Sequence, residues 1–135
     1  GDVAVASCIL EEQLRAGIDV EKIVEHHTSF MNTYFSAAEQ KMIAAAENPS
    51  WFINASWAVK EACLKALGIG ATIDFRHIEV RFLGHHWQVE FNGDARERAQ
   101  RLGVVKMTTM VEKHQEYVIV RVALALSPNA IAHGR

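Results

Sequence analysis

The stretch Trp57-Ala58-Val59-Lys60-Glu61-Ala62-Cys63-Leu64-Lys65-Ala66-Leu67-Gly68 decides the reading, together with Gly17-Ile18-Asp19-Val20-Glu21-Lys22-Ile23 about forty residues earlier. On a helix, Glu61 and Lys65 stand one turn apart on the side that also carries Trp57 and Leu64. A carboxylate and an ammonium on one partly apolar face suit a site for a metal and a phosphate. Ser50 or Asn54 is positioned to cap this helix, and Gly68 and Gly70 supply its stop.

Working outward, Ser36-Ala37-Ala38-Glu39 matches a capping box, opening a shorter helix that ends before Pro49. Before it, Val20, Ile23, Val24, His27, Phe30, Met31 and Tyr34 recur at three- and four-residue intervals, which predicts a first helix over Val20 to Tyr34. Downstream the period becomes two. His77 to Phe82 and Trp87 to Phe91 alternate apolar with polar around Leu83-Gly84-His85-His86, as the strands of a hairpin do. Asp94 to Leu102 is polar and helix-favouring. Val104 to Val111 and Tyr117 to Leu126 predict a second hairpin around the polar turn Glu112-Lys113-His114-Gln115-Glu116. Val3 to Leu10 and Leu14 to Val20 are short apolar runs that suit either strand or helix. The expected class is α+β, one domain over 1–135, with a helical cluster packed on a mainly antiparallel sheet.

Composition narrows the function. The chain has 135 residues, half of them apolar, enough for one real core. A formal net charge of −2 with interspersed signs leaves no basic stripe, which argues against nucleic acid as a partner. No long apolar run and no signal-like N-terminus is seen, so a soluble cytoplasmic protein that does not engage a membrane is expected. Cys8 and Cys63 read as two reduced thiols. Gly1 in place of an initiating Met fits a processed chain or a domain from a longer one.

The two opening stretches resemble the signatures of the 4′-phosphopantetheinyl transferases of the small holo-(acyl-carrier-protein) synthase type, approximately Gly-x-Asp-x-x-x-Ile and Trp-x-x-Lys-Glu-Ala-x-x-Lys-Ala-Leu-Gly. Phe35-Ser36-Ala37-Ala38-Glu39 and Ala66-Leu67-Gly68-Ile69-Gly70 are similar to further family motifs. The resemblance implies transfer of the 4′-phosphopantetheine arm of coenzyme A to a serine of an acyl carrier protein, in fatty-acid or polyketide synthesis, with Mg²⁺ and as a homotrimer. Residue by residue it implies Asp19 as first metal ligand, Glu61 as second ligand and base, and Lys65 as the phosphate lysine, with Lys60 a secondary coenzyme contact. Such a transfer breaks a pyrophosphate bond, which calls for a cation on one or two carboxylates and a lysine on the phosphates.

Two departures stand beside the resemblance. Family members carry Ser-x-Ser-His before the final strand, whereas Met110-Val111-Glu112-Lys113 stands there with His114 displaced by one. Lys113 and His114 are therefore the candidates for a coenzyme phosphate contact, against a plain polar turn. The segment after Asp19 holds Glu21, Lys22, Glu25, His26 and His27 where many members have arginines for an acidic carrier, so steering is weak. The second function class is a non-catalytic relative that binds coenzyme A or serves assembly. Each site residue also has an ordinary reading. Glu61 and Lys65 suit a solvated helix pair, Asp19 a helix N-cap, Trp57 and Leu64 core, His26-His27 and His85-His86 surface, and Cys63 a buried inert thiol.

Overall fold

The computed structural model describes residues 13–70 and 72–128, so Cys8 and the apolar run Val3 to Leu10 lie outside the described residues. Strand β1 spans Leu14–Lys22, and helices α1 (Thr28–Tyr34), α2 (Ala37–Ala44) and α3 (Pro49–Leu67) follow. A 3₁₀ turn at Phe75–His77 leads into β2 (Ile78–Leu83) and β3 (His86–Phe91), followed by α4 (Gly93–Leu102), β4 (Val104–His114) and β5 (Tyr117–Leu126). The strands form two antiparallel sheets, one ordered β1-β5-β4 and one pairing β2 with β3. The α+β expectation holds.

Helix α3 runs through the middle of the fold. Its Ala55, Ala58, Val59, Ala62, Cys63, Ala66 and Leu67 are buried, with Val118, Val120, Val122, Leu124 and Leu126 of β5 in the same core. Small residues on this face let sheet and helix approach closely. Asn48, not Ser50 or Asn54, caps the helix: its side chain accepts from Trp51 N, and Pro49 takes the first position, where a missing N–H is harmless. Asn54 lies inside the helix and donates from Nδ2 to Val24 O and Ser50 O at 2.7 and 2.8 Å. Gly68 ends the helix with φ 69°, a left-handed conformation that glycine adopts without a side-chain penalty; Gly70 is not needed.

The helix expected over Val20 to Tyr34 is corrected. Val20 belongs to β1, the chain is extended or irregular from Ile23 to His27, and the helix begins only at Thr28. Pairing with β5 over the whole of Leu14–Lys22 fixes the strand, and Val20 lies outward at 55% exposure. The capping box at Ser36 forms as expected, with Glu39 N and Ser36 N each bonded to the other residue's side chain. The second hairpin is longer than expected. Lys113 and His114 are the last residues of β4, His114 pairs with Tyr117, and the turn is confined to Gln115 (φ 55°) and Glu116.

Candidate active site

The site depends on how close β1 lies to α3. A Cβ built on Gly17 would collide with Ala62 O and sit 2.7 Å from Ala66 N, so only glycine permits this approach. Side chains alternate along a strand, so Arg15, Gly17, Asp19 and Glu21 share the face toward α3 while Leu14, Ile18 and Val20 point outward. The strand thus presents its polar side chains inward. Two residues beyond Gly17, Asp19 is 6% exposed. It is not a helix cap.

Lys65 comes to meet it. Its Nζ donates to Asp19 Oδ1 and to Ile18 O, both at 2.9 Å, while its side chain stays 52% exposed. The Asp19 hydrogen bond holds the Lys65 ammonium above the ordinary lysine range. Glu61, one turn back on α3, is half-buried; burial raises its pKa, the Asp19 charge adds to this and Lys65 opposes it. Asp19 Oδ2 is buried and, among the described residues, accepts no hydrogen bond.

Glu21 completes the cluster, and sequence reasoning missed it. Its pKa is pushed up to about 7, first by burial, then by the Asp19 side chain and charge beside it and by the charge of Glu61. A divalent cation would relieve the same repulsion. Among the described residues no group of three or more His, Cys, Asp or Glu side chains is placed to hold a metal ion, so a cation here would rest on the two carboxylates of Asp19 and Glu61. That arrangement fits Mg²⁺, which takes one or two protein carboxylates and fills the remainder with phosphate oxygens and water. A period-of-two reading of Gly17 to Glu21 was the signal that would have found Glu21, since it places position 21 on the face of position 19.

The remaining sequence candidates lie elsewhere. Lys60, next to Glu61, is wholly buried and bonds Glu39 Oε1 at 2.9 Å, Phe75 O at 2.8 Å and Ile78 O. Its ammonium is fully engaged inside the protein. Lys113 shares the inward face of its sheet, with Nζ 6.0 Å from the Trp51 ring centroid. Trp51 is separated from Glu61 by a helical rise of about 15 Å, while across the sheet Lys113 stands two strands from Glu21, both in register with Val118. His26 is more than surface: its Nε2 lies 3.0 Å from Asn54 Oδ1 and its ring stacks on Phe30. Cys63 is buried and its thiol pushed up to about 12 by burial, an inert state. Trp57 packs among Phe30, Tyr34 and Phe75, and Leu64 is core.

This fold, with an acidic strand and a Lys-Glu helix packed together, has known counterparts. The sequence profile of the 4′-phosphopantetheinyl transferase superfamily matches residues 15–122, and the chain belongs to that superfamily. The holo-[acyl-carrier-protein] synthase of Moorella thermoacetica is 32% identical over 112 residues, covering 77% of this chain and 88% of the relative. That of Natranaerobius thermophilus is 35% identical over 80 residues, or 58% of this chain and 64% of the relative's length. The fatty acid synthase subunit alpha of Schizosaccharomyces pombe is 32% identical over 117 residues; these are 81% of this chain and 6% of that subunit. Among solved structures, the Chronobacterium ammoniagenes ACPS-CoA complex superposes with a TM-score of 0.73 at 18% identity, covering 84% of this chain and 98% of that one. The fold is shared.

Proposed function

We propose that this chain transfers the 4′-phosphopantetheine arm of coenzyme A to a serine of an acyl carrier protein. The observation that carries the reading is Asp19 Oδ2, a buried carboxylate oxygen with no donor among the described residues, set beside Glu61, Glu21 and Lys65. Asp19 and Glu61 would hold Mg²⁺, with Glu21 at hand. When bound, the cation neutralises charge on the diphosphate. The serine hydroxyl attacks the phosphorus that bears the arm, and the bond from that phosphorus to the bridging oxygen breaks. Adenosine 3′,5′-bisphosphate leaves. Glu61, with its raised pKa, accepts the serine proton directly or through water. Lys65, exposed and fixed on Asp19, supports the charge that grows on the leaving phosphate.

The same reading includes a soluble cytoplasmic enzyme acting as a homotrimer. Leu14, Ile18, Val20 and Met110, each more than half exposed, form an apolar outer face on the three-stranded sheet with Ile119, Ala123 and Ala125. An apolar patch of this kind suits association with further copies. Light scattering at micromolar concentration is expected to give three chains, and a monomer would count against the assembly. Among the described residues no helix is long and apolar enough to cross a membrane.

The deciding experiment is mass spectrometry of an apo carrier protein incubated with this chain, coenzyme A and Mg²⁺. A mass gain of one arm supports the transferase. Coenzyme A binding without any gain would favour the non-catalytic alternative.

A further inference from the structure

Asn92-Gly93 joins β3 to α4, away from the acid cluster. Asn48 engages its side chain with Trp51 N, and Asn54 engages its own with Val24 O and Ser50 O. Asn92 differs. It stands at the cap position of α4, yet its side chain makes no capping hydrogen bond. Gly93 after it is exposed, has no side chain to shield its nitrogen, and adopts φ 49°, outside the helical range. A helix leaves its first N–H groups without an internal partner, and that of Gly93 is one of them.

His77 stands against this glycine. A Cβ built on Gly93 would collide with Nδ1 and Cε1 of the ring, so the Nδ1 edge faces the glycine directly. The contact is held in place by Asn92 N, which donates to His77 O at 2.7 Å. His77 Nδ1 is buried and, among the described residues, has no hydrogen-bond partner. A buried N–H without an acceptor is the rarer orphan, so the ring carries its proton on Nε2 and Nδ1 keeps its lone pair. Packing accounts for a ring against a glycine. It leaves an unused buried acceptor beside an amide that has nothing to donate to.

We propose that Asn92-Gly93 is a site of spontaneous backbone modification, at which the Gly93 nitrogen attacks Cγ of the Asn92 side chain while His77 Nδ1 takes its proton. The new N–Cγ bond closes a five-membered succinimide. The bond from Cγ to the side-chain nitrogen breaks, and ammonia leaves with the proton that His77 returns. Water then opens the ring at either carbonyl, giving aspartate or isoaspartate. The two products act on α4 in opposite senses. Aspartate at the cap places a negative charge at the helix N-terminus, which stabilises it. Isoaspartate runs the main chain through the side-chain carbon and displaces the carbonyl that accepts Arg96 N at 3.2 Å. Arg98 of α4 holds Leu67 O at 2.9 Å, so the isomer also loosens α4 from the end of α3.

The test is incubation of the chain in mildly alkaline buffer at physiological temperature, with peptide mass mapping over time. Conversion raises the mass of the peptide holding Asn92 by about 1 Da, and isoaspartate is counted by enzymatic methylation of its carboxylate. Asn32, exposed and followed by the branched Thr33, is the internal reference. Asn92 is expected to convert at least about tenfold faster, because glycine leaves the attacking nitrogen open. His77→Phe keeps a ring against Gly93 and removes the acceptor, so conversion is expected to slow at least about tenfold, a modest figure for a positioned base. Asn92 converting no faster than Asn32 overturns the site. Unchanged conversion in a His77→Phe protein with the parental melt overturns the proposal in the form given. If His77→Phe does not fold, the parent in urea decides: losing the His77 contact is expected to slow Asn92, and a faster rate there overturns the proposal.

Discussion

Helix α3 carries two lysine–carboxylate pairs five residues apart, Lys60 with Glu39 and Lys65 with Asp19, each at 2.9 Å, and their surroundings could hardly differ more. Around the first, every group is satisfied. Lys60 Nζ has three acceptors, Glu39 Oε1 takes Ser36 N as well as the ammonium, and Oε2 takes Val80 N at 2.8 Å. Both side chains are at most 1% exposed. Burial pulls the Lys60 ammonium below its ordinary range while Glu39 opposes that pull. The pair ties α2, α3 and β2 together. In the second, the lysine is half in solvent, one carboxylate oxygen is unpartnered and two further glutamates crowd it. A saturated pair is structural, and an unsaturated one has capacity left for a ligand.

The largest expected effect comes from breaking the first pair. Lys60→Ala leaves a buried carboxylate beside two backbone donors, and removing one partner of a buried pair destabilises by about 3–5 kcal/mol. Urea denaturation is the measurement. Combining Lys60→Met with Glu39→Gln, which keeps an acceptor for Val80 N, is expected to recover most of that loss. A single variant as stable as the parent would dissolve the contrast.

Breaking the second pair should reverse the pattern. Lys65→Ala is expected to change stability by less than about 1 kcal/mol, since the ammonium is largely exposed. Transfer should nevertheless fall at least about 10²-fold, as it does when a charge stabiliser is removed from a reacting centre. Glu61→Gln and Asp19→Asn are expected to lose transfer to the same extent while remaining folded. Steady-state transfer assays alongside thermal melts check this. Near-normal turnover in a folded Glu61→Gln protein would place the chemistry elsewhere.

A smaller effect tests the crowding itself. Glu21 has a folded pKa of about 7 against an ordinary 4.5, so between those values the folded protein holds more proton than the unfolded chain. Stability of the cation-free protein is therefore expected to decline as pH rises from about 4.5 to about 7, and to level off beyond. Melts in a chelator over that range should show the slope, and Glu21→Gln should flatten it. A slope of opposite sign in the parent would mean that Glu21 does not sit against Asp19 and Glu61 as described.

Much of this was legible in the sequence, and the failures have one physical source. The α3 signature, the capping box and both hairpins rest on local rules of spacing, caps and alternation, and these survive packing. Residues 20 to 27 did not follow them, although the helix forms from Thr28 to Tyr34. Ile18 and Val20 face out of β1 while Asp19 and Glu21 face in, so the strand inverts the usual apolar-inward pattern, and helical spacing over Val20 to His27 was coincidental. That inversion exists because the inward face serves the candidate site and the outward face is left apolar. Lys60 was misplaced for a related reason. Adjacent helix positions point in different directions, and nothing local distinguishes the lysine that turns into the core from the glutamate that turns to β1.

The smallest effect concerns a third lysine, Lys113, which belongs to neither pair. Its ammonium rests over Trp51 near the start of α3, and His114 beside it is exposed. Across the sheet Lys113 and Glu21 flank Val118, two strand spacings or about 10 Å apart. A coenzyme that reaches from the acid cluster to this hairpin would meet them within one chain, and in the proposed trimer from a neighbouring copy. Replacing both by Ala removes one positive charge and a donor that would face a phosphate. Such exposed contacts are each worth about 1 kcal/mol or less, so calorimetry should show coenzyme A binding weakened by no more than about thirtyfold. The trimer should persist, because the variant leaves Leu14, Ile18, Val20 and Met110 untouched. Unchanged affinity in a trimeric variant would reduce Lys113 to a cation over an indole ring. The chemistry would then be confined to the second pair and its two glutamates.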